Sequence, residues 1–158
     1  MRQLSMQRID QEIARRMKTF GILGLRISFG IIFIWFGILK PLGLSSAEPL
    51  LRSTVAWLPI GDPTQWLEII GWWEVVIGIC FLFKRTTRIA VALLFLQMLG
   101  TFMPLVVMPD VTFQGGNPLL PTLEGQYIIK NLMIISGALV VGGTIYKRNQ
   151  KNQKDNRM

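Results

Sequence analysis

The sequence predicts an all-α polytopic membrane protein: four transmembrane helices in a bundle, with a short N-terminal interfacial helix and a short outer-surface helix. Three observations carry that prediction. Hydrophobic residues make up 51% of the 158 positions and charged residues only 16%, with a mean hydropathy of +0.42. The apolar residues gather in four blocks, at residues 20–39, 66–83, 89–107 and 127–145, each near the length of about 20 residues that a helix needs to cross a hydrocarbon core. Outside the blocks, lysine and arginine divide 13 to 2 between alternate sides, which the positive-inside rule converts into cytoplasmic termini at both ends.

Residues 1–19 form a basic amphipathic segment, 20–146 the four-span domain and 147–158 a basic tail. In the first segment Met6, Ile9, Ile13, Met17 and Phe20 recur every three or four residues, with Arg8, Arg15, Arg16 and Lys18 mostly off that stripe. That spacing suits a helix lying on a membrane surface. Arg15-Arg16 precedes an apolar block, but the block is too long for a cleaved signal and ends in Lys40-Pro41, so no cleavage is expected.

Between the first two blocks, Ser45-Ser46-Ala47-Glu48 fits a capping box, and Leu50, Leu51, Val55 and Leu58 follow before Pro59. A short helix along the outer surface is expected there. Asp62, Pro63 and Gln65 then suit the N-cap, first and third positions of the second span. Trp66, Trp72 and Trp73 crowd the outer half of that span, just after Trp57. They fit an aromatic belt at headgroup level better than a ring-lined pocket. The outer loop from Pro104 holds four prolines, with Gly115 and Gly116, and reads as irregular, partly apolar and folded back over the helix ends. The tail, rich in Asn, Gln and Lys, reads as disordered.

Composition also excludes chemistry. There is no histidine and a single cysteine, Cys80, so bis-histidine haem, most zinc sites, the Ser-His-Asp triad, intramolecular disulfides and a C-x-x-C redox pair are all removed. No haem or metal site is expected. The net charge of +8 is placed to set topology and meet anionic lipid, and no nucleic-acid partner is expected.

Four ionisable residues fall inside or beside the apolar blocks: Arg26, Glu68, Glu74 and Lys130. A charge at the centre of a bilayer costs about 2.5–3.5 kcal/mol on insertion scales, so each needs a partner or a function. Counted from the block edges, Arg26 lies about 9 Å in from the cytoplasmic side, Glu74 about 12 Å and Lys130 about 5 Å in from the outer side. Glu74 is therefore expected between two bases, with Arg26 and Lys130 as its partners. Glu68 reads as a solvated boundary residue. Arg26, Gly30, Phe33, Gly37 and Lys40 share one helical stripe, and Gly71, Glu74 and Gly78 another; the small residues allow close helix approach. Gln97 and Thr101 on the third span, with Lys130 and Asn131 on the fourth, complete a polar centre. Such a network can bind a ligand, or only fix helix register.

The segments "FGIIFIWFGILK" behind Arg26, "GWWEVVIGI" around Glu74 and "EGQYIIKNLMIISGALVV" opening the fourth span resemble the DoxX-like family of small four-helix membrane proteins. The Lys-Asn pair at 130 and 131 is the most specific part. The resemblance implies that Arg26, Lys40, Glu74, Lys130 and Asn131 are the family's characteristic polar positions. It also implies residence in a bacterial cytoplasmic membrane. Some relatives are membrane subunits of thiosulfate:quinone oxidoreductases, others accompany responses to oxidants, and related four-helix proteins act as assembly partners. Three functions follow as expectations: a membrane component of a quinone-linked redox or oxidative-stress system, with quinone as the cofactor it admits; a non-enzymatic membrane partner of another protein; or a proton or small-solute carrier using Glu74. Lacking metal ligands, the chain would receive electrons only through a partner or an organic cofactor.

Overall fold

A computed structural model of the chain describes residues 2–56, 59 and 61–155, with backbone alone for 2–5, 8 and 145–155. It is all helical apart from loops and one isolated antiparallel bridge between Phe113 and Pro121. Four helical stretches are long and apolar enough to cross a membrane: Ile9–Leu39, Pro63–Leu82, Thr87–Val107 and Leu123–Thr144.

The first helix, α1, runs unbroken from Arg2 to Leu39. The amphipathic N-terminal segment is thus continuous with the first span rather than a separate helix: no proline interrupts it, and Gly21 and Gly24 do not break it. Helix α2 covers Glu48–Val55. It starts behind Ala47, not at a Ser45 cap: Ser45 Oγ instead accepts from the Ala47 amide at 3.3 Å, and Glu48 pairs with Arg52 one turn on at 2.7 Å. Trp57 and Leu58 lie outside the described residues. Helix α3, Pro63–Leu82, begins as expected, with Asp62 extended at the N-cap, Pro63 in the first position, and Gln65 Oε1 accepting from the Asp62 amide at 3.3 Å.

Helix α4 spans Thr87–Phe102 and gives way at Pro104, which lacks the amide needed to continue it, to the short α5, Pro104–Val107. The following segment is more ordered than its prolines and glycines suggest. Pro109 opens the turn α6, Pro109–Thr112, and Gln114–Gly116 forms a 3-10 turn. Thr122 ties the segment down: its hydroxyl donates to Val111 O at 2.7 Å and its amide to Thr112 O at 3.0 Å. Thr54 of α2 reaches Met108 Sδ at 3.9 Å, so α2 and this segment meet at one end of the bundle.

The fourth span is two helices, α7 at Leu123–Ile129 and α8 at Asn131–Asp155, with Lys130 as the joint. Where a disordered tail was expected, the backbone stays helical to Asp155; Lys, Arg and Gln there are ready helix formers. Residues 156–158 lie outside the described residues.

Helices α1 and α3 are antiparallel and packed backbone to backbone. A Cβ placed on Gly37 would lie 2.7 Å from Gly71 O and 2.9 Å from Val75 N; one on Gly78 would lie 2.7 Å from Ile34 Cγ1 and 2.8 Å from Gly30 O. Only glycine permits that approach. Helix α4 packs on α3, and α8 closes the ring against α4 and α1. Phe29, Ile77, Phe81, Leu94, Ala138 and Val141, drawn from all four spans, form the buried core, with the Phe29 and Phe81 rings 5.0 Å apart between centroids. Ile31, Trp35, Phe36, Leu99 and Met133 are exposed on the outside, where a bilayer supplies the apolar contact that water would not.

Candidate functional site: a buried charged centre

Glu74 sits in the fourth turn of α3, and the α1–α3 register lays the end of α1 beside it. Lys40, the residue after α1 closes, places its ammonium on Glu74 Oε2 as an ion pair and also donates to Phe36 O at 3.5 Å. From α4, Gln97 Nε2 donates to Glu74 Oε1 at 2.7 Å. The side chains of Lys40 and Glu74 are only 8% and 12% exposed. Both carboxylate oxygens are thus engaged, one by a charge and one by an amide.

Trp73, next to Glu74, holds this arrangement in place. Its indole is turned inward and donates to Leu93 O of α4 at 3.3 Å, one turn before Gln97. That bond fixes the α3–α4 register at the height where Gln97 meets Glu74. Trp72 points outward and is exposed, as a membrane-belt residue would be. The sequence offered one signal for Trp73: alternation of the two indoles beside a carboxylate on the inward stripe.

Two donor or acceptor positions at the centre are unfilled. Gln97 Oε1 is buried and has no hydrogen-bond partner. Lys40 carries three N–H bonds, of which two are directed at Glu74 and Phe36. The site can therefore accept one hydrogen bond at Gln97 Oε1 and give one from Lys40 Nζ. Cys, Asp, Glu and His do not gather in threes among the described residues, so the donor set suits a small polar organic group better than a metal ion.

The remaining expected positions lie elsewhere. Thr101 spends its hydroxyl on Gln97 O of its own helix at 3.2 Å and does not join the centre. Lys130 is exposed, its ammonium 5.2 Å over the Tyr127 ring, and does not pair with Glu74. Asn131 turns back to its own chain: Nδ2 donates to Tyr127 O at 3.2 Å and Ile128 O at 3.0 Å. These are carbonyls at the end of α7, where the intrahelical ladder runs out and where the Lys130 amide also reaches Ile128 O, so Asn131 makes the break at Lys130 tolerable in an apolar setting. Replacing Asn131 with alanine is expected to cost about 1–3 kcal/mol in unfolding free energy, because it strips a donor from two carbonyls; replacing Lys130 with alanine should cost less than half as much. Equal losses in a detergent unfolding titration would refute that account.

Arg26 also stands apart. It lies fourteen residues before Lys40 on α1, about 21 Å along the axis, and its Nε is buried with no partner. The partner expected for Glu74 in Arg26 or Lys130 is instead Lys40. Glu68 is exposed near the start of α3, the position expected of a solvated boundary residue.

Comparison with protein families places these residues in context. The DoxX family model matches residues 21–108, more than half of the chain. The chain belongs to the DoxX family. The match holds Arg26, Lys40, Glu74, Gln97 and Thr101 and stops before the fourth span, so Lys130 and Asn131 fall outside it. Comparison with curated proteins and with solved structures returned no match. For this DoxX-family protein, then, the charged centre lies wholly within the part of the chain that carries the family likeness.

Proposed function

We propose that this DoxX-family protein is a membrane component associated with a quinone-linked redox or oxidative-stress system, and that the Lys40, Glu74 and Gln97 centre meets the quinone headgroup. The observation that carries the reading is the buried, unpartnered Gln97 Oε1 beside a buried ion pair. A buried acceptor left open costs about 1–3 kcal/mol, which a ligand hydroxyl would relieve. A quinol hydroxyl can donate to Gln97 Oε1, and a quinone carbonyl can accept from the spare N–H of Lys40, so the pair of positions suits both redox forms. The chain carries no histidine and one cysteine, so electrons reach such a site through a partner protein.

The 13 to 2 division of basic residues supports both termini cytoplasmic, and the setting proposed with it is a bacterial cytoplasmic membrane. A photoreactive quinone analogue, in proteoliposomes, is expected to label α3 and α4 near Glu74 and Gln97, and Glu74→Gln or Gln97→Leu to lower labelling on the order of tenfold. Labelling that misses this region, or is indifferent to both variants, sinks the reading.

A second reading, a non-enzymatic membrane partner of another protein, is favoured by one feature. Met6, Ile9, Ile13, Met17 and Phe20 are each more than half exposed on one face of α1, a stripe that either a bilayer surface or a partner helix would cover. Failure to recover a co-purifying protein in mild detergent counts against the partner.

A further inference from the structure

At the opposite end of the bundle from the charged centre, Arg26 is half-buried and its Nε is buried without a partner. The α1–α3 register sets Gly30 against Leu82, Ile34 against Gly78 and Gly37 against Gly71 and Val75. Because the helices are antiparallel, one further turn down α1 brings Arg26 level with Thr86, in the loop between α3 and α4. That loop begins Lys84-Arg85, both exposed. Arg26 therefore lies beside the last residues of α3 and this loop, nearer the end of the bundle than counting from the edge of the apolar block suggests.

Among the described residues no acid pairs with Arg26, Lys84 or Arg85; Glu12 is occupied by Arg15 and Arg16 at 2.8 and 2.9 Å. Two carbonyls at the end of α3 are also taken, Cys80 O by the Thr86 hydroxyl at 2.8 Å and Phe83 O by the Thr87 hydroxyl at 2.9 Å. Arg26 Nε is left buried and unsatisfied. An arginine kept at a membrane boundary with a donor to spare and two bases alongside is suited to a tetrahedral oxyanion, which guanidinium binds through paired N–H bonds.

We infer that the junction of α1 with the α3–α4 loop binds the phosphate of an anionic phospholipid, with Arg26 as its deep ligand and Lys84 and Arg85 as its rim. Basic residues at a membrane surface each add about 1 kcal/mol of attraction to anionic lipid, and the bundle's apolar flank at this end leaves the acyl chains in hydrocarbon. The site is independent of the quinone reading.

Native mass spectrometry of the full chain from mild detergent, with phosphatidylglycerol or phosphatidylcholine added, tests it. Wild type is expected to retain phosphatidylglycerol over phosphatidylcholine. Arg26→Gln is expected to lose that retention by at least about fivefold, and separately the exposed double variant Lys84→Gln/Arg85→Gln by on the order of thirtyfold. Arg52→Gln, on α2 at the other end, should not change it. The double variant keeps the test valid if Arg26→Gln misfolds. Wild type is expected to keep phosphatidylglycerol in the presence of millimolar inorganic phosphate; displacement of the lipid by that phosphate, lost in Arg26→Gln, would move the source to a free anion and overturn the lipid assignment. Equal retention of the two lipids, or retention unchanged in both variants, would overturn the site.

Discussion

Truncating Glu74 to alanine is expected to destabilise the protein by about 3–5 kcal/mol, the cost of breaking a buried ion pair from one side. The size follows from what is left behind. Lys40 is 8% exposed and would keep a full charge with only Phe36 O nearby, and Gln97 Nε2 would lose its acceptor. Lys40→Met should be as damaging, because it strands a carboxylate that only Gln97 then touches. Replacing both, as Lys40→Met/Glu74→Leu, removes the two charges together, and an ion pair exchanged for apolar groups of similar size is often near neutral. The double variant should therefore be more stable than either single one. Unfolding titrations of the wild type, Glu74→Leu, Lys40→Met and the double variant give the coupling directly; additive losses would mean that the two groups do not act as a pair. Glu74→Gln separates stability from function. It keeps an acceptor for Gln97 while losing the charge, so a variant that stays folded but no longer reacts with a quinone analogue would assign the charge to the ligand. A variant that loses stability and nothing else would assign it to helix register.

How much of this centre the sequence discloses depends on which coordinate is asked of it. Depth along each span is counted from 1.5 Å per residue, and the carboxylate it sets deepest, Glu74, is the one whose side chain is only 12% exposed in an ion pair. Depth presumes, however, that every span starts at the same surface. Helix α3 extends about eight residues above the level where α1 ends, since Gly71 faces Pro41 and α3 starts at Pro63. Lys40 counts as a loop residue in the sequence and proves to be the partner of a carboxylate well inside the bundle. Rotation about the helix axis is the second hidden coordinate. Lys130 stands at a suitable height but on an exposed face, and Asn131 beside it is consumed by a helix break that no periodicity announces. The glycine stripes were legible because close packing leaves a compositional mark. The ordering of the 104–122 segment was not, because it rests on two threonine hydroxyls finding particular carbonyls.

The same glycines set the second large effect. Gly71→Ala and Gly37→Ala are each expected to cost about 3 kcal/mol, the upper part of the usual range for forcing atoms into a packed interior. A methyl on Gly71 would lie 2.7 Å from Pro41 Cδ, 2.8 Å from Gly37 O and 2.9 Å from Lys40 Cβ, and one on Gly37 2.7 Å from Gly71 O and 2.9 Å from Val75 N. Several of these neighbours are backbone, which cannot swing aside as a side-chain tip does. The helices must part, and Lys40 is carried by the residue pair that parts. Gly24→Ala supplies the control on the same helix: nothing lies within 4 Å of its added methyl, and alanine is favoured over glycine in a helix by about 1 kcal/mol. It should be neutral or stabilising. If Gly71→Ala proved as harmless as Gly24→Ala, the backbone contact of α1 with α3 would be wrong, and with it the placement of Lys40 against Glu74. If Gly71→Ala folds but weakens Lys40–Glu74 coupling in the cycle above, the close approach of the two helices is what builds the charged centre.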